Sequence, residues 1–169
     1  MNPQIVHRPQ MSMIGLSVLS NSSMDITPLW QRFEEMEHRI HYALSAARYV
    51  ITTWGAETEL TRQHFVFVGV EISRIEAPPV SAVIKILPPA QYAIFPTRAG
   101  ELGVVWKRVM EDWLPKSPYE RPRCVIERYD RNRYLEAPPE WREVDIFVPL
   151  RLKSAFEQMR KERKRAQKE

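Results

Sequence analysis

Cysteine is nearly absent from this sequence, since Cys124 is the only one among 169 residues. A disulfide within the chain is therefore excluded, which is typical of a reducing compartment, and we expect a cytoplasmic location. Long apolar runs are absent too, because none approaches the roughly 20 residues of a membrane-spanning helix. The short apolar stretch 13–19, interrupted by Ser17, predicts a strand rather than a signal peptide.

Glycine is also scarce, with five residues against 14 prolines. The sequence shows no Gly-rich phosphate loop, no nucleotide-binding fingerprint and no Ser-His-Asp arrangement. His38 and His41 have a spacing that permits metal binding, but no third fixed ligand accompanies them, so we expect neither a metal nor another cofactor. The prolines separate many short apolar segments, which favours a strand-rich fold over a helical bundle.

Positive charge is concentrated at the C-terminal end of the chain. The formal net charge is +4, but residues 151–169 contain eight basic and three acidic residues, which leaves −1 for residues 1–150. The same segment has an apolar stripe with helical spacing, formed by Leu152, Ala155, Phe156 and Met159. Residues 152–169 are therefore predicted to form a basic helical tail, either as a solvated helix end or as a phosphate-binding segment.

The order of the predicted elements indicates an α+β fold made of a duplicated β-α-β-β unit. One helix is predicted from a Thr27-Pro28 cap to about His41 and a second over 101–114, each with one apolar face. β-Branched and aromatic residues predict strands at 13–19, 49–54, 65–72, 83–87, 91–95, 124–129 and 144–150. A duplicated unit often places a ligand site at the seam between its two copies.

Glu127 is an acidic residue in an otherwise apolar predicted strand. Side chains alternate along a strand, so Val125, Glu127 and Tyr129 should share one face. If that face is buried, the carboxylate is buried with it, and a lone charge there costs several kcal/mol unless it is paired, hydrogen-bonded or protonated. Two interpretations follow: a site for recognition or catalysis, or a partly solvated ion pair with Arg123 or Arg128.

Five short motifs occur in order along the chain: Val-Gly-Val-Glu at 68–71, Leu-Pro-Pro-Ala-Gln-Tyr-Ala-Ile-Phe at 87–95, Trp-Leu-Pro at 113–115, Ile-Glu-Arg-Tyr-Asp at 126–130 and Val-Asp-Ile-Phe-Val-Pro at 144–149. As a set they resemble the GyrI-like small-molecule binding domain, the effector-binding domain of bacterial multidrug-sensing AraC- and MerR-type regulators. The resemblance implies one domain over 1–151, with repeats at about 5–75 and about 80–151. It also implies a curved, barrel-like antiparallel sheet that carries two helices, with ligands in the groove between the repeats.

The resemblance further implies a set of ligand-binding residues. In that family an acidic residue two positions before a Tyr meets cationic, often aromatic ligands, and here Glu127 and Tyr129 match this motif. An aromatic wall would add cation–π attraction of about 0.5–2 kcal/mol. The candidates for this wall are Trp30, Trp54, Tyr92, Trp106, Tyr129 and Phe147.

Some of these assignments have alternatives. Trp30 and Trp106 hold comparable places in the two helices, so each is either a wall residue or a structural anchor of its repeat. Phe147 stands where several relatives have Tyr, which would make the site more apolar. Asp145, two positions earlier, is either a second acidic contact or an edge residue that faces water.

The resemblance predicts a protein that captures organic cations or flat aromatic compounds in the groove between its repeats. About a dozen residues precede the first predicted strand, too few for the helix-turn-helix of the regulators. We therefore expect a stand-alone sensor-type domain with neither direct DNA recognition nor a membrane partner. Two alternatives stay open: a hydrolase of reactive small molecules with Glu127 as the base, and a protein that interacts with DNA gyrase or another protein partner.

Overall fold

Eight strands and two helical segments form the fold, seen in a computed structural model that describes residues 2–21, 24–55, 61–130, 138–154 and 159. The first half contains β1 (Gln4–Arg8), β2 (Met11–Asn21), α1 (Thr27–Glu37), β3 (Ala47–Thr53) and β4 (Gln63–Ile72). The second half contains β5 (Val83–Leu87), β6 (Ala90–Arg98), α2 (99–116), β7 (Cys124–Asp130) and β8 (Glu143–Leu150). A 3₁₀ turn, Pro139–Trp141, precedes β8.

The second helical segment, α2, changes its hydrogen-bond pattern along its length. Its successive parts are a 3₁₀ turn (Ala99–Glu101), an α-helix (Leu102–Arg108), a π-helical turn (Val109–Trp113) and a last α-helical turn (Leu114–Lys116). Pro115 has no N–H to donate into the helix, and the π-helical turn ends two residues before it, at Trp113. The helical segment ends at Lys116, two residues beyond its predicted end at 114.

All eight strands form one antiparallel sheet in the order β1-β6-β8-β7-β3-β4-β2-β5. The corresponding strands of the two halves are β1 and β5, β2 and β6, β3 and β7, and β4 and β8. Exchanging each strand for its counterpart gives the same order read from the other edge, so the sheet has the pseudo-twofold symmetry of a duplicated unit. The halves meet where β3 pairs with β7, from Ala47↔Asp130 to Thr53↔Cys124. The predicted α+β class, with a curved antiparallel sheet and two helices, is confirmed.

The two faces of the sheet have separate cores. On the face that we call the interior face, side chains from strands near both edges pack into one cluster, among them Met11 of β2 and Tyr92 of β6. On the other, helix-bearing face, Phe33 of α1 packs on β2, β3 and β4. On the same face, Val109 of α2 packs on β6, β7 and β8. The sheet therefore curls around its interior face and carries both helices on the outside.

Two glycines allow neighbouring strands to approach closely on the interior face. Gly15 of β2 pairs with Gly69 of β4. A Cβ at Gly15 would lie 2.0 Å from the carbonyl oxygen of Val68, and one at Gly69 would lie 2.3 Å from the carbonyl oxygen of Ile14. Because both contacts are with backbone, neither position has room for a side chain.

An ion pair bridges the interior face between distant strands. Arg8, on edge strand β1, places its Nη2 3.1 Å from Oε2 of Glu71 on β4, and the side chain of Glu71 is only 12% exposed. The same Nη2 lies 3.7 Å from the sulfur of Met11. Since β1 and β4 are far apart in the strand order, this contact draws the edge strand over the interior and makes the sheet barrel-like.

Some predicted elements differ from the observed ones. β1 was not predicted, because its mostly exposed residues show no apolar alternation, yet it pairs along β6 as an edge strand. α1 ends at Glu37 rather than at about His41. Thr27 is the first residue of α1 rather than its N-cap, which is Ile26. The N–H and hydroxyl of Thr27 both donate to Oδ1 of Asp25, at 2.9 Å and 2.7 Å.

The basic helical tail predicted over 152–169 lies almost wholly outside the described residues and stays a prediction. Within the described ranges, no helix is long and apolar enough to cross a membrane.

Replacing Gly15 by Ala should destabilise the protein, because the new methyl group would collide with backbone across the sheet. Overpacking of this kind costs about 1–3 kcal/mol, and more when backbone must move. Gly103→Ala is the matched control, since a Cβ there meets nothing within 4 Å. We expect that control to leave the free energy of unfolding unchanged or to raise it by up to about 1 kcal/mol. Urea denaturation measures both, and equal stability of the two variants would contradict the close approach at Gly15.

Candidate functional site

Glu127 lies at the centre of the sheet, on the strand where the two halves meet. It pairs with Val50 of β3 on one side and with Ile146 of β8 on the other. Both partners are buried apolar residues that belong to the cores under the two helices. Since paired side chains point to the same side of a sheet, Glu127 projects from the helix-bearing face between α1 and α2.

Tyr129 holds the Glu127 carboxylate and connects it to α1. The Tyr129 hydroxyl donates a hydrogen bond to Oε2 of Glu127, with 2.6 Å between the two oxygens. The Tyr129 ring meets the ring of Trp30 on α1 edge to face, at 5.8 Å between centroids. The strand thus presents the acid and the phenol on one face, and the first helix supports the phenol from the side.

The surroundings of Glu127 shift the pKa of its carboxyl group. Burial raises its pKa, and the hydrogen bond from Tyr129 works in the opposite direction. Within the described part of the chain, no ion pair to Glu127 is present. Arg128, one of the two partners considered from the sequence, points to the interior face and pairs with Asp145 at 3.4 Å, while Arg123 is exposed. The site therefore contains a partly buried acid without a cationic partner among the described residues.

A cavity of about 240 Å³ opens beside this carboxylate. We call it the Glu127 cavity, and its lining residues are Thr52, Trp54, His64, Leu102, Gly103, Trp106, Val125, Glu127 and Ile146. The rings of Trp54 and Trp106 stack at 5.9 Å between centroids with an angle of 9° between their planes. The cavity therefore combines one acidic group with a flat aromatic wall, between the sheet and the first turns of α2.

Five of the eight predicted site residues gather around this cavity or its acid. Glu127, Trp54 and Trp106 line it, and Tyr129 and Trp30 lie beside Glu127. Trp30 also packs against the core under α1. The role of these residues in ligand binding stays a prediction.

The structure places the other three predicted residues on the interior face, across the sheet from Glu127. Phe147 pairs with Ile126 rather than with Glu127, and its ring contacts Tyr92 at 6.1 Å between centroids. Asp145 points the same way as Phe147 and pairs with Arg128. For Phe147 and Asp145 the physical reason is the register of β8 on β7, because a shift of one residue exchanges the faces of a strand.

Six lining residues were not among the predicted site residues, namely Thr52, His64, Leu102, Gly103, Val125 and Ile146. The alternation of β3 and β4 carries a signal for two of them, because Thr52 and His64 share a face with the buried residues Val50 and Val66. Leu102 and Gly103 have no such signal, since only the packing of α2 brings them over the sheet. In the part of the chain that the structure describes, no three His, Cys, Asp or Glu side chains cluster as a metal site requires.

The fold and the cavity define a class of α+β domains in which two repeats share one curved antiparallel sheet. The chain belongs to the GyrI-like small molecule binding domain family, whose sequence model matches residues 1–151. It is therefore a GyrI-like small-molecule binding domain, as the sequence motifs predicted. A search of curated proteins found no match.

Solved structures share this fold at low sequence identity. SAV2435 bound to tetraphenylphosphonium is 13% identical with a TM-score of 0.65, over 89% of this chain and 94% of that chain. The EcmrR C-terminal domain is 9% identical with a TM-score of 0.71, over 90% and 98%. A hydrolase from Listeria innocua encoded by lin2189 is 8% identical with a TM-score of 0.56, over 89% and 92%. At these identities the similarity shows the fold alone.

Glu127→Gln should stabilise the ligand-free protein at neutral pH. A carboxyl whose pKa is raised on folding binds more protons in the folded state, so stability falls as pH rises from the ordinary Glu value through the raised one. Each pKa unit between the folded and unfolded states corresponds to about 1.4 kcal/mol in the free energy of unfolding. We expect the free energies of unfolding of wild type and Glu127→Gln to differ least at low pH and most above the raised pKa. Urea denaturation between pH 4 and 8 measures this, with the exposed Glu35→Gln as control.

Equal pH dependence of stability in wild type and Glu127→Gln would show that this carboxyl is not perturbed by burial.

Proposed function

We propose that the Glu127 cavity binds organic cations that carry aromatic or other flat apolar groups. The observation that supports this most is a partly buried carboxylate that has no cationic partner among the described residues and lies beside the stacked Trp54–Trp106 pair. A cation supplies the charge that the site lacks. Its apolar groups displace water from the aromatic wall.

The charge on Glu127 provides selectivity. Burial makes ionisation of the free carboxyl costly, and an incoming cation offsets that cost because opposite charges attract more strongly away from bulk water. A neutral ligand of the same shape gains nothing from the carboxylate. An anionic ligand is repelled by it, and no Arg or Lys is among the residues that line the cavity.

The aromatic wall provides affinity. A cation held over the face of Trp gains about 0.5–2 kcal/mol, depending on how far it is desolvated. The cavity volume of about 240 Å³ is slightly below the roughly 300–1,000 Å³ of typical ligand pockets. A bulky cation would therefore place its charged centre and nearest rings inside and extend outward between α1 and α2. SAV2435, a protein of similar fold, was solved with such a cation, tetraphenylphosphonium.

A hydrolase is the second candidate function. An acid of raised pKa, a phenol hydroxyl 2.6 Å away and a histidine in the same lining are groups that general acid–base chemistry uses. One protein of similar fold is a hydrolase from Listeria innocua. Turnover of an electrophile such as p-nitrophenyl acetate that disappears in Glu127→Gln would favour this candidate, whereas saturable cation binding without turnover favours the first.

Binding of tetraphenylphosphonium should strengthen as pH rises through the pKa of Glu127 and level off above it, because only the ionised carboxylate attracts the cation. Glu127→Gln should bind at least 10-fold more weakly at neutral pH, and its affinity should not change with pH. Tyr129→Phe removes the hydrogen bond that lowers the pKa, so the midpoint should move to higher pH. Isothermal titration calorimetry at several pH values measures all three, with Glu35→Gln as the control that keeps wild-type affinity.

If wild type and Glu127→Gln bind tetraphenylphosphonium equally at every pH, Glu127 does not select the ligand.

Gly103→Leu should block the cavity without harming the fold. Gly103 lines the cavity, and a side chain there meets open space. We expect at least a 10-fold loss of tetraphenylphosphonium affinity with the free energy of unfolding unchanged to within about 1 kcal/mol, while Gly103→Ala has a smaller effect. Wild-type affinity in a well-folded Gly103→Leu protein would place the cation elsewhere.

A further inference from the structure

A second and larger concave site lies on the interior face of the sheet, with a volume of about 680 Å³. Residues of β1, β3, β4, β6, β7 and β8 line it, and we call it the barrel mouth. Its apolar lining includes Val6, Ile94 and Phe147, and its polar lining includes Arg8, Tyr49 and Arg128. Mouths of curved sheets and barrels are common locations of small-molecule sites.

The charged groups at the barrel mouth are two arginines and two carboxylates. Arg8 bonds Glu71 through Nη2 at 3.1 Å, and Arg128 pairs with Asp145 through Nη1 at 3.4 Å. The Tyr49 hydroxyl also donates to Oε2 of Glu71, at 3.3 Å. One carboxylate oxygen of Glu71 therefore accepts from both the guanidinium and the phenol. The formal charges of the four ionic groups cancel.

Hydrogen-bond donors outnumber acceptors at this site. A guanidinium carries five N–H donors and accepts none, so the two arginines present ten, of which the carboxylates use few. Nε of Arg8 is buried and has no hydrogen-bond partner among the described residues. The side chains of Arg8 and Arg128 are nevertheless 37% and 32% exposed, so a ligand can reach their remaining N–H groups.

Tyr49 adds no negative charge to the barrel mouth, and its one O–H is already donated to Glu71. Burial, reinforced by the nearby Glu71 carboxylate, raises its pKa. The phenol therefore stays protonated at neutral pH. The remaining N–H groups of Arg8 and Arg128 thus favour a ligand that accepts hydrogen bonds, and the apolar part of the lining favours one with an apolar body.

We propose that the barrel mouth is a second ligand site, and that it takes a small organic carboxylate with an aromatic or aliphatic body. The carboxylate accepts paired hydrogen bonds from the free edge of Arg128 or Arg8, the geometry in which guanidinium and carboxylate fit best. The body of the ligand lies against Phe147 and Ile94.

The two sites lie on opposite faces of the same strands. Arg128 and Glu127 are neighbours on β7, and alternation sends the guanidinium to the barrel mouth and the carboxylate to the Glu127 cavity. The charge preference is opposite as well, since the Glu127 cavity contains an acid and no arginine. Carboxylate binding therefore does not depend on the function proposed for the Glu127 cavity, and the two can be tested apart.

The test uses 2-naphthoate as the anion and tetraphenylphosphonium as the comparison, each titrated into isotopically labelled full-length protein by NMR. We expect naphthoate to shift the methyl resonances of Val6 and Ile94, and not those of Val125 and Ile146. Arg128→Gln should weaken naphthoate binding at least 5-fold and leave tetraphenylphosphonium binding unchanged. Gly103→Leu should weaken tetraphenylphosphonium binding and leave naphthoate binding unchanged. Arg121→Gln, which removes one exposed arginine that lines neither site, should change neither.

The proposal is overturned if wild-type protein does not bind naphthoate at millimolar concentration, if the shifts appear at Val125 and Ile146, or if Arg128→Gln binds as well as wild type. If thermal unfolding shows that Arg128→Gln does not fold, naphthoate binding is measured with Arg8→Gln instead. If the wild-type protein binds naphthoate at the barrel mouth but does not bind tetraphenylphosphonium, the function proposed for the Glu127 cavity is wrong and the proposal for the barrel mouth stands.

Discussion

The pairing of β3 with β7 is the constraint on which the site depends. It joins the two repeats at the centre of the sheet and fixes, residue by residue, which side chains of β7 point toward the helices. Glu127 reaches the space between α1 and α2 only because it lies opposite Val50 in this register. β3 contains no acidic residue, so the repeats contribute unequally: the second supplies the charge, and the first supplies part of the wall.

Two charged residues on this face show how differently a fold treats a buried charge. Arg48 of β3 is only 9% exposed, but it bonds Glu34 and Glu37 and thereby fastens the end of α1 to the sheet. Glu127 has a phenol for a partner and, among the described residues, no cation. The first arrangement satisfies its charge within the protein, as buried ions in stable structures usually are. The second leaves the Glu127 carboxylate without a cationic partner among the described residues, and a bound cation could supply one.

The sequence was sufficient for those features that depend on local pattern. Alternation alone placed Val125, Glu127 and Tyr129 on one face, and β-branched residues predicted the inner strands. The features that the sequence did not predict depended on distance or register. The faces of Phe147 and Asp145 follow from how β8 pairs with β7, and a one-residue difference in register reverses them. The edge strand β1 has no apolar pattern, and the Arg8–Glu71 bridge joins residues 63 positions apart. Gly103 lines the cavity only because of how α2 packs.

The strand order has a further consequence for how the chain folds. β1 belongs to the first half but pairs only with β6 of the second, and β5 belongs to the second half but pairs only with β2 of the first. Each repeat has thus exchanged its opening strand with the other, as in a domain-swapped dimer fused into one polypeptide. Neither half alone can complete its sheet, so a cut near residue 80 yields two fragments with unpaired edges rather than two small domains. Folding must wait for contacts between distant parts of the chain, which makes it slow and cooperative compared with a protein of independent repeats.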